Sequence, residues 1–321
     1  MDISASGDGK VLLWYKESTK EGFFDFYIAA DGKVYAGAET CKYLFFCCTR
    51  LERINFNGCF DTSRAETMEG MFANCCWLES IDVSEFDTSN VTDMSYMFYM
   101  EDGKAILSSL DVSGFDTSSV TNMNNMFDGC VYVKELDVSD FDTSKVTRMD
   151  YMFYGCEYVR ELDVSGFDTS NVTDMTGMFG GCGSVKCLDV AGFDTSGVTN
   201  MAMMFFGCCS VTGIDLSSFD TSSVTDMSYM FADCIGLESL DLSGFDTSEV
   251  EGMRCMFREC SRLESIDLSV FDTSKVWFMS YMLYGVNGEI ILPDPFDTSS
   301  CVEYHCFMST DESEWINYFE N

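Results

Sequence analysis

Proline, histidine and long apolar runs are nearly missing from this sequence, and each shortage excludes a class of protein. Its 321 residues contain two prolines, Pro293 and Pro295, so the turns elsewhere must come from Gly, Ser, Thr and Asp. The single histidine, His305, gives almost no basis for a Ser-His-Asp or Cys-His catalytic group or for a zinc site. No run of 18 apolar residues occurs, so no membrane-spanning helix is predicted. We therefore expect a protein that is not an enzyme and that does not insert into a membrane.

Basic residues are also scarce. The sequence has 18 Lys and Arg against 54 Asp and Glu, a formal net charge of -36. Because DNA, RNA and anionic lipid each require a basic surface, this balance argues against all three as ligands. Solvated acidic faces that keep the chain soluble explain the charge, and a basic partner or a bound cation is the alternative.

The tetrapeptide F-D-T-S recurs along most of the sequence. Its ten copies begin at Phe60, Phe86, Phe115, Phe141, Phe167, Phe193, Phe219, Phe245, Phe271 and Phe296. The steps are 26 residues, except for one of 29 and one of 25. The longer step contains a three-residue insertion within residues 99–106, which we expect to form a loop. A fixed period of this length predicts a solenoid of stacked repeats.

The copy from Phe167 to Val190 shows the pattern within one repeat. Counted from its Phe, the apolar residues fall at +5, +8, +11, +12, +15, +18, +21 and +23. The L-x-x-L-x-L ending predicts a strand with one buried face, whereas the middle spacing of three and four predicts a short helical turn between Thr173 and Gly181. The V-T-D-M stretch fits either a second strand or the first helical turn. The predicted fold is a leucine-rich-repeat-like solenoid, with a parallel sheet of one strand per repeat and short helical turns opposite it.

We expect both ends of the solenoid to be capped. Residues 1–39 form the predicted N-terminal β cap, with strands Lys10 to Glu17, Phe23 to Ala29 and Lys33 to Tyr35. Residues 40–302 form the solenoid, a half-repeat followed by about ten repeats. Residues 303–321, with the apolar segment Trp315 to Phe319, form the predicted C-terminal cap.

A row of aspartates at the predicted strands is the candidate binding surface, which we call the strand Asp row. Its members are Asp82, Asp111, Asp137, Asp163, Asp189, Asp215, Asp241 and Asp267. Each lies between two inward apolar residues and so points outward, about 5 Å from its neighbours in a parallel sheet. Their mutual repulsion, on the order of 1 kcal/mol per pair in water, must be offset. Hydrogen bonds from the flanking serines do this in one interpretation, and a cation or basic partner does so in the other.

The F-D-T-S aspartates form a second row, the motif Asp row. Its members are Asp61, Asp87, Asp116, Asp142, Asp168, Asp194, Asp220, Asp246, Asp272 and Asp297. Asp followed by Thr-Ser predicts an Asx turn, in which the carboxylate accepts the N–H two residues on. Calcium is the alternative, but the G-G-x-G-x-D pattern of calcium-binding repeats is absent. We therefore predict no cofactor.

Cysteines recur at position +15, which the packing pattern places inside. They are Cys48, Cys75, Cys130, Cys156, Cys182, Cys208, Cys234 and Cys260. Buried free thiols are predicted, with disulfides between neighbouring repeats as the alternative. Met at +8 and +11, such as Met149 and Met152, is predicted to fill the core, whereas neighbouring tyrosines lie partly outside it.

The unit L-x-x-L-D-[VL]-S-x-F-D-T-S-x-V-T-x-M-x-x-M-F-x-x-C resembles the 26-residue repeat of the BspA-like leucine-rich-repeat surface proteins of Firmicutes and mycoplasmas. The resemblance covers roughly residues 40–302. It implies a solenoid displayed outside the cell, with adhesion or protein binding as its role, and it carries no active-site residues. The first residues, Met1 to Ser4, show no signal-peptide pattern, so the extracellular location is implied by the resemblance alone.

The predicted function is a non-catalytic surface or secreted module. It would act as a monomer and bind a protein or glycan through a face of the solenoid. One alternative is an intracellular acidic protein that imitates nucleic acid and occupies a basic site on its partner. A passive spacer is the other.

Overall fold

The chain is described by a computed structural model at residues 11–17, 21–30, 33–101 and 105–302. These residues contain no α-helix and seven short strands. The strands are β1 Val11–Glu17, β2 Phe24–Ala30, β3 Val34–Tyr35, β4 Leu51–Asn55, β5 Phe60–Asp61, β6 Ser265–Asp267 and β7 Glu289–Ile291. The predicted cap segment Trp315 to Phe319 and the centre of the insertion, residues 102–104, lie outside the described residues.

The N-terminal strands cover the open edge of the first repeat. β1 and β2 pair antiparallel, from Val11 opposite Ala30 to Glu17 opposite Phe24. β2 then pairs in parallel with β4, and β3 pairs in parallel with β5. The three strands predicted before residue 39 are therefore present, each within one residue of its predicted ends. Their pairing satisfies backbone groups that an exposed edge would offer to other chains.

Backbone hydrogen bonds join each repeat to the next. We call each repeat a coil, name it by the Phe of its F-D-T-S motif, and number positions from that Phe. In the Phe167 coil, Phe179 at +12 donates its N–H to the carbonyl of Met204 in the next coil at 2.9 Å. Gly177 and Gly181 donate to the carbonyls of Ala202 and Phe206 at 2.8 and 2.6 Å. The N–H groups between them bond three residues back within their own coil, as Met178 does to Met175. This pattern recurs from coil to coil, so the chain is a repeat solenoid.

The predicted helical turns are wrong, and the backbone angles explain why. Positions +10 and +14 have φ in the left-handed region, for example 57° at Tyr151, 69° at Gly155 and 60° at Met203. A right-handed helix requires negative φ at every residue. The left-handed residues turn alternate N–H groups out of the coil and toward the next one. The V-T-D-M stretch is strand-like, because isolated parallel bridges join position +7 of adjacent coils, as in Asp174 with Asn200.

The prediction of one paired strand per coil at L-x-x-L-D-V is also wrong for most coils. Paired strands form there at the ends of the stack, in β4 and in the parallel pair β6 and β7, with isolated bridges from Arg53 through Ser80 to Ser109. Local turns interrupt the others. Ser165 donates its N–H to the Asp163 carboxylate at 3.1 Å, and Phe167 donates to the carbonyl of Val164 at 3.0 Å. Such local bonds compete with a sheet ladder.

The interior is one continuous apolar column, as the spacing predicts. Buried residues form a single cluster from Ile28 in β2 to Leu283 in the Phe271 coil. At position +12, phenylalanine rings from Phe72 to Phe257 stack with centroids 5.5–5.9 Å apart and planes within 13° of parallel. The methionines at +8 and +11 are fully buried beside them. Each buried ring contributes about 1.5–3 kcal/mol, so the shared column supplies most of the stabilising energy.

Candidate functional site

The strand Asp row lies on the surface, as predicted. All eight carboxylates are exposed, and the apolar residues on either side, such as Leu162 and Val164 around Asp163, point inward. In seven members a serine N–H two residues on donates to the carboxylate at 2.9–3.1 Å. Ala191 does the same for Asp189 at 3.3 Å. Every carboxylate in the row is thus fixed by its own turn.

Serine hydroxyls stabilise the charged form of several aspartates in the strand Asp row. Ser84, Ser113, Ser139 and Ser165 donate to their aspartates at 2.6–2.7 Å. These hydrogen bonds keep the pKa of Asp82, Asp111 and Asp163 below its usual range, although the neighbouring Asp111 charge slightly opposes this at Asp82. At Asp82, where the neighbouring carboxylate opposes them, the serine hydrogen bonds outweigh the repulsion, in agreement with the serine interpretation.

Shallow clefts separate neighbouring carboxylates of this row. One of about 610 Å³ lies beside Asp215 and Asp241, and one of about 560 Å³ lies beside Asp137 and Asp163. The second also has Lys134 and Arg160 on its rim. The row is thus a ridged surface on which carboxylates alternate with space for a partner's side chains.

The predicted Asx turns of the motif Asp row are confirmed. Ser170, for example, donates its N–H to the Asp168 carboxylate at 3.0 Å. The motif serine makes the equivalent bond to the motif aspartate in each copy, from Asp61 in the first to Asp297 in the last. Hydrogen bonds from Ser63 and Lys33 lower the pKa of Asp61 to about 2. Within the described ranges, no three or more His, Cys, Asp or Glu side chains are grouped as a metal site would need.

The motif threonines make a ladder that the sequence interpretation missed. They are buried at +2 in every coil from Phe60 to Phe271. Thr195 Oγ1 donates to the carbonyl of Asp220 in the next coil at 2.9 Å and accepts the Asp220 N–H at 2.8 Å. The signal was available, because Thr occurs in all ten copies whereas the residue after the motif varies.

The +15 cysteines are buried free thiols, as predicted, except that Cys48 is only partly buried. The sulfur atoms of the other seven lie 3.0–3.4 Å from a phenylalanine carbonyl of the preceding coil, for example Cys182 beside Phe153. Burial raises the pKa of Cys182 and Cys260 to about 12, so both stay protonated at neutral pH. All eight +15 cysteines are free, so these residues form no disulfides between coils.

One family model matches the coils three times, at residues 39–133, 100–188 and 173–289. Its description is Mycoplasma protein of unknown function, DUF285, and the matches together span most of the chain. The chain belongs to the DUF285 family. This agrees with the resemblance to BspA-like repeats. No curated protein sequence matches the DUF285 chain.

Two solved structures are similar to this DUF285 chain over most of their length. A leucine-rich repeat protein from Bacteroides ovatus is 13% identical, with coverage of 91% of this chain and 89% of that one and a TM-score of 0.39. A leucine rich cell surface protein from Faecalibacterium prausnitzii is 16% identical, with coverage of 74% and 94% and a TM-score of 0.23. The solenoid assignment rests on the hydrogen bonds between coils. Within the described ranges no helix has the length and apolar character needed to cross a membrane.

Proposed function

We propose that this protein is a non-catalytic binding module, displayed outside the cell, that recognises a protein or glycan through the strand Asp row. The observation that carries the proposal is the row itself, in which eight exposed carboxylates at one position of successive coils are each held by a local turn. A partner with basic or hydroxyl-rich groups repeated along its surface is complementary to it.

The geometry favours binding because the row is already ordered. Side chains held by their own turns lose little conformational freedom when a partner docks, so less of the contact energy is spent on ordering. Many weak contacts at a regular spacing also add up along an extended surface. Exposed charges of one sign further speed the encounter with an oppositely charged partner.

The repetition supports a non-catalytic role. An active site requires one place that differs from its surroundings, with an acid, base or nucleophile activated there. The carboxylates of the strand Asp row instead have the same environment in coil after coil. The buried thiols, which stay protonated, are poor nucleophiles.

The test compares the binding of two triple variants to arrays of purified extracellular proteins and oligosaccharides. Asp137→Asn, Asp163→Asn and Asp189→Asn together remove three charges from the strand Asp row. Asp142→Asn, Asp168→Asn and Asp194→Asn remove the same charge from the motif Asp row of the same coils. We expect the first triple to weaken binding about tenfold or more and the second to change it about twofold or less.

Equal losses in both triples would mean that bulk charge, not the strand Asp row, attracts the partner, and would contradict the proposal. Binding restricted to nucleic-acid-binding proteins and displaced by duplex DNA would favour the nucleic-acid mimic instead.

A further inference from the structure

The residues at positions +10 and +13 differ sharply between four successive coils. At +10 and +13 the Phe86 coil has Tyr96 and Tyr99, and the Phe141 coil has Tyr151 and Tyr154. The Phe115 coil between them has Asn125 and Asp128, and the Phe167 coil has Gly177 and Gly180. Because equal positions of adjacent coils lie side by side, the two short polar side chains stand between two pairs of tyrosines.

The two tyrosines of each pair pack against each other. Tyr96 and Tyr99 pack edge to face with centroids 5.5 Å apart, and Tyr151 and Tyr154 do the same at 5.5 Å. A Cβ atom at Gly177 would lie 2.6 Å from the Tyr151 ring, and a Cβ atom at Gly180 would lie 2.6 Å from the Tyr154 ring. The two rings therefore pack directly over the glycines of the following coil. The space beside Asp128 is thereby left open.

A cleft of about 560 Å³ occupies this space. Its walls include Tyr99, Tyr151 and Tyr154, and its floor includes Asn125 and Asp128. A second carboxylate, Glu101, also lines it, and the described lining contains no basic residue. Three aromatic rings and two acids around one cavity are complementary to a cation with apolar surface.

Asp128 differs from the aspartates of both rows because it has no serine turn. Among the described residues, no hydrogen-bond donor or cation contacts its carboxylate, which is partly buried below the tyrosines. Burial raises the pKa of Asp128 to about 7, because its charged form is less stable away from water. A cation placed beside it would offset that cost.

We propose that this cleft binds an organic ammonium ion, with the charge beside Asp128 and the alkyl groups against the faces of Tyr99 and Tyr154. Cations of this kind are attracted to the negative faces of aromatic rings, and their apolar carbons lose little on leaving water. A quaternary ammonium group and the end of a lysine side chain share this chemistry. The cleft lies on a different segment of the coil from the strand Asp row. This proposal is therefore independent of the proposed function.

The experiment titrates the full chain with tetramethylammonium chloride and with n-butylammonium chloride at constant ionic strength, followed by NMR or tyrosine fluorescence. tert-Butanol serves as the uncharged analogue of similar size. We expect saturable binding of the ammonium ions in the millimolar range, as befits ligands of about five heavy atoms, and at least about tenfold weaker binding of the alcohol. Tighter binding of tetramethylammonium assigns a quaternary group as the natural ligand, and tighter binding of n-butylammonium assigns a lysine-type amine.

Matched variants separate the cleft from the general negative charge. Asp128→Asn and Tyr154→Ala should each weaken ammonium binding about tenfold. The controls Asp140→Asn, an exposed aspartate, and Tyr284→Ala, a tyrosine at +13 of the Phe271 coil, should leave it unchanged. Equal affinity of ammonium and alcohol, or equal losses in cleft and control variants, would overturn the proposal.

The pH dependence provides a second readout. Above pH 7 the Asp128 carboxylate is charged and attracts the cation, whereas below pH 7 binding must release its proton. Affinity should therefore fall as the pH is lowered from 8 to 5.5, by up to about tenfold per pH unit below the pKa. Asp128→Asn, which retains Glu101, Tyr99, Tyr151 and Tyr154 in the cleft, should show a flat profile. An unchanged wild-type profile would contradict the role of Asp128.

Discussion

At the scale of single residues, the position of a short polar side chain in the coil determines its role. Thr195 is buried and joins two coils through its hydroxyl, whereas Ser196, the next residue, donates outside to Asp194. Asp163 is exposed and held by Ser165, but Asp128 is partly buried and has no such partner. The same residue types therefore stabilise the stack, present charge or line a cleft.

The motif threonine is expected to stabilise the fold through its hydroxyl. Thr195→Val keeps the shape of the side chain but leaves the N–H and the carbonyl of Asp220 without their partner. We expect a loss of about 1–3 kcal/mol in unfolding free energy, measured by urea denaturation, because buried polar groups without partners are costly. Thr195→Ser retains the hydroxyl and should lose less. A valine variant as stable as the wild type would show that the ladder adds no stability.

Asp128 should make the stability of the protein depend on pH near neutrality. Its folded pKa of about 7 is above the value of 3.8 for a free carboxyl, so the folded chain keeps a proton that the unfolded chain has released between these values. Stability contributed by this group is therefore present below pH 4 and is lost as the pH rises through 7. Asp128→Asn should be more stable than the wild type at pH 8, by about 2 kcal/mol, and nearly equal to it at pH 4. Thermal melting at the two pH values measures this, and an equal difference at both would contradict it.

At the scale of elements, the register of the coil could be predicted from sequence, but its backbone could not. Apolar spacing identified the inward positions from +5 to +23, because burial depends on side-chain type, but it missed the buried threonine at +2. In most coils the left-handed residue at +10 gave no signal, since residues such as Tyr151, Met203 and Cys255 are not types that usually adopt positive φ. The helical prediction was wrong for that reason. The strand prediction was wrong because the Asx turns at the strand Asp row bend the chain after only a few residues.

The left-handed position at +14 should be intolerant of a side chain where the next backbone is close. Gly129 has φ of 76°, and a Cβ there would lie 2.0 Å from the carbonyl oxygen of Met100. We expect Gly129→Ala to lower the unfolding free energy by at least about 2 kcal/mol, from backbone strain and the clash together. Gly244→Ala is the control, because a Cβ there meets nothing within 4 Å. Equal urea midpoints for the two variants would contradict the close stacking of coils.

The candidate sites were predictable to different degrees. The exposure of the strand Asp row followed from the alternation of Leu, Asp and Val. The cleft at Asp128 was missed, because it appears only when Tyr99, Asp128 and Tyr154 are compared across three coils as neighbours in space. Such a site can be found by aligning the repeats and comparing the residues that occupy the same position in successive coils.

At the scale of the whole molecule, stability is a sum of contacts between neighbouring coils. Each coil bonds to the one before it and the one after it, and the apolar column continues through all of them. In such a stack the first coil has no preceding coil to pair with. The paired strands β1 to β5 cover this end of the stack. The net charge of -36 discourages association through exposed surfaces.

The central claim is that successive coils lie side by side and share one interior. Amide hydrogen exchange at single-residue resolution tests it most directly, at the N–H groups that join coils, such as those of Gly177, Phe179 and Gly181 and their equivalents. We predict strong protection of these amides in every coil from Phe60 to Phe245. Exchange at the rate of an unfolded chain at these positions, or protected blocks separated by freely exchanging coils, would contradict the stacked solenoid.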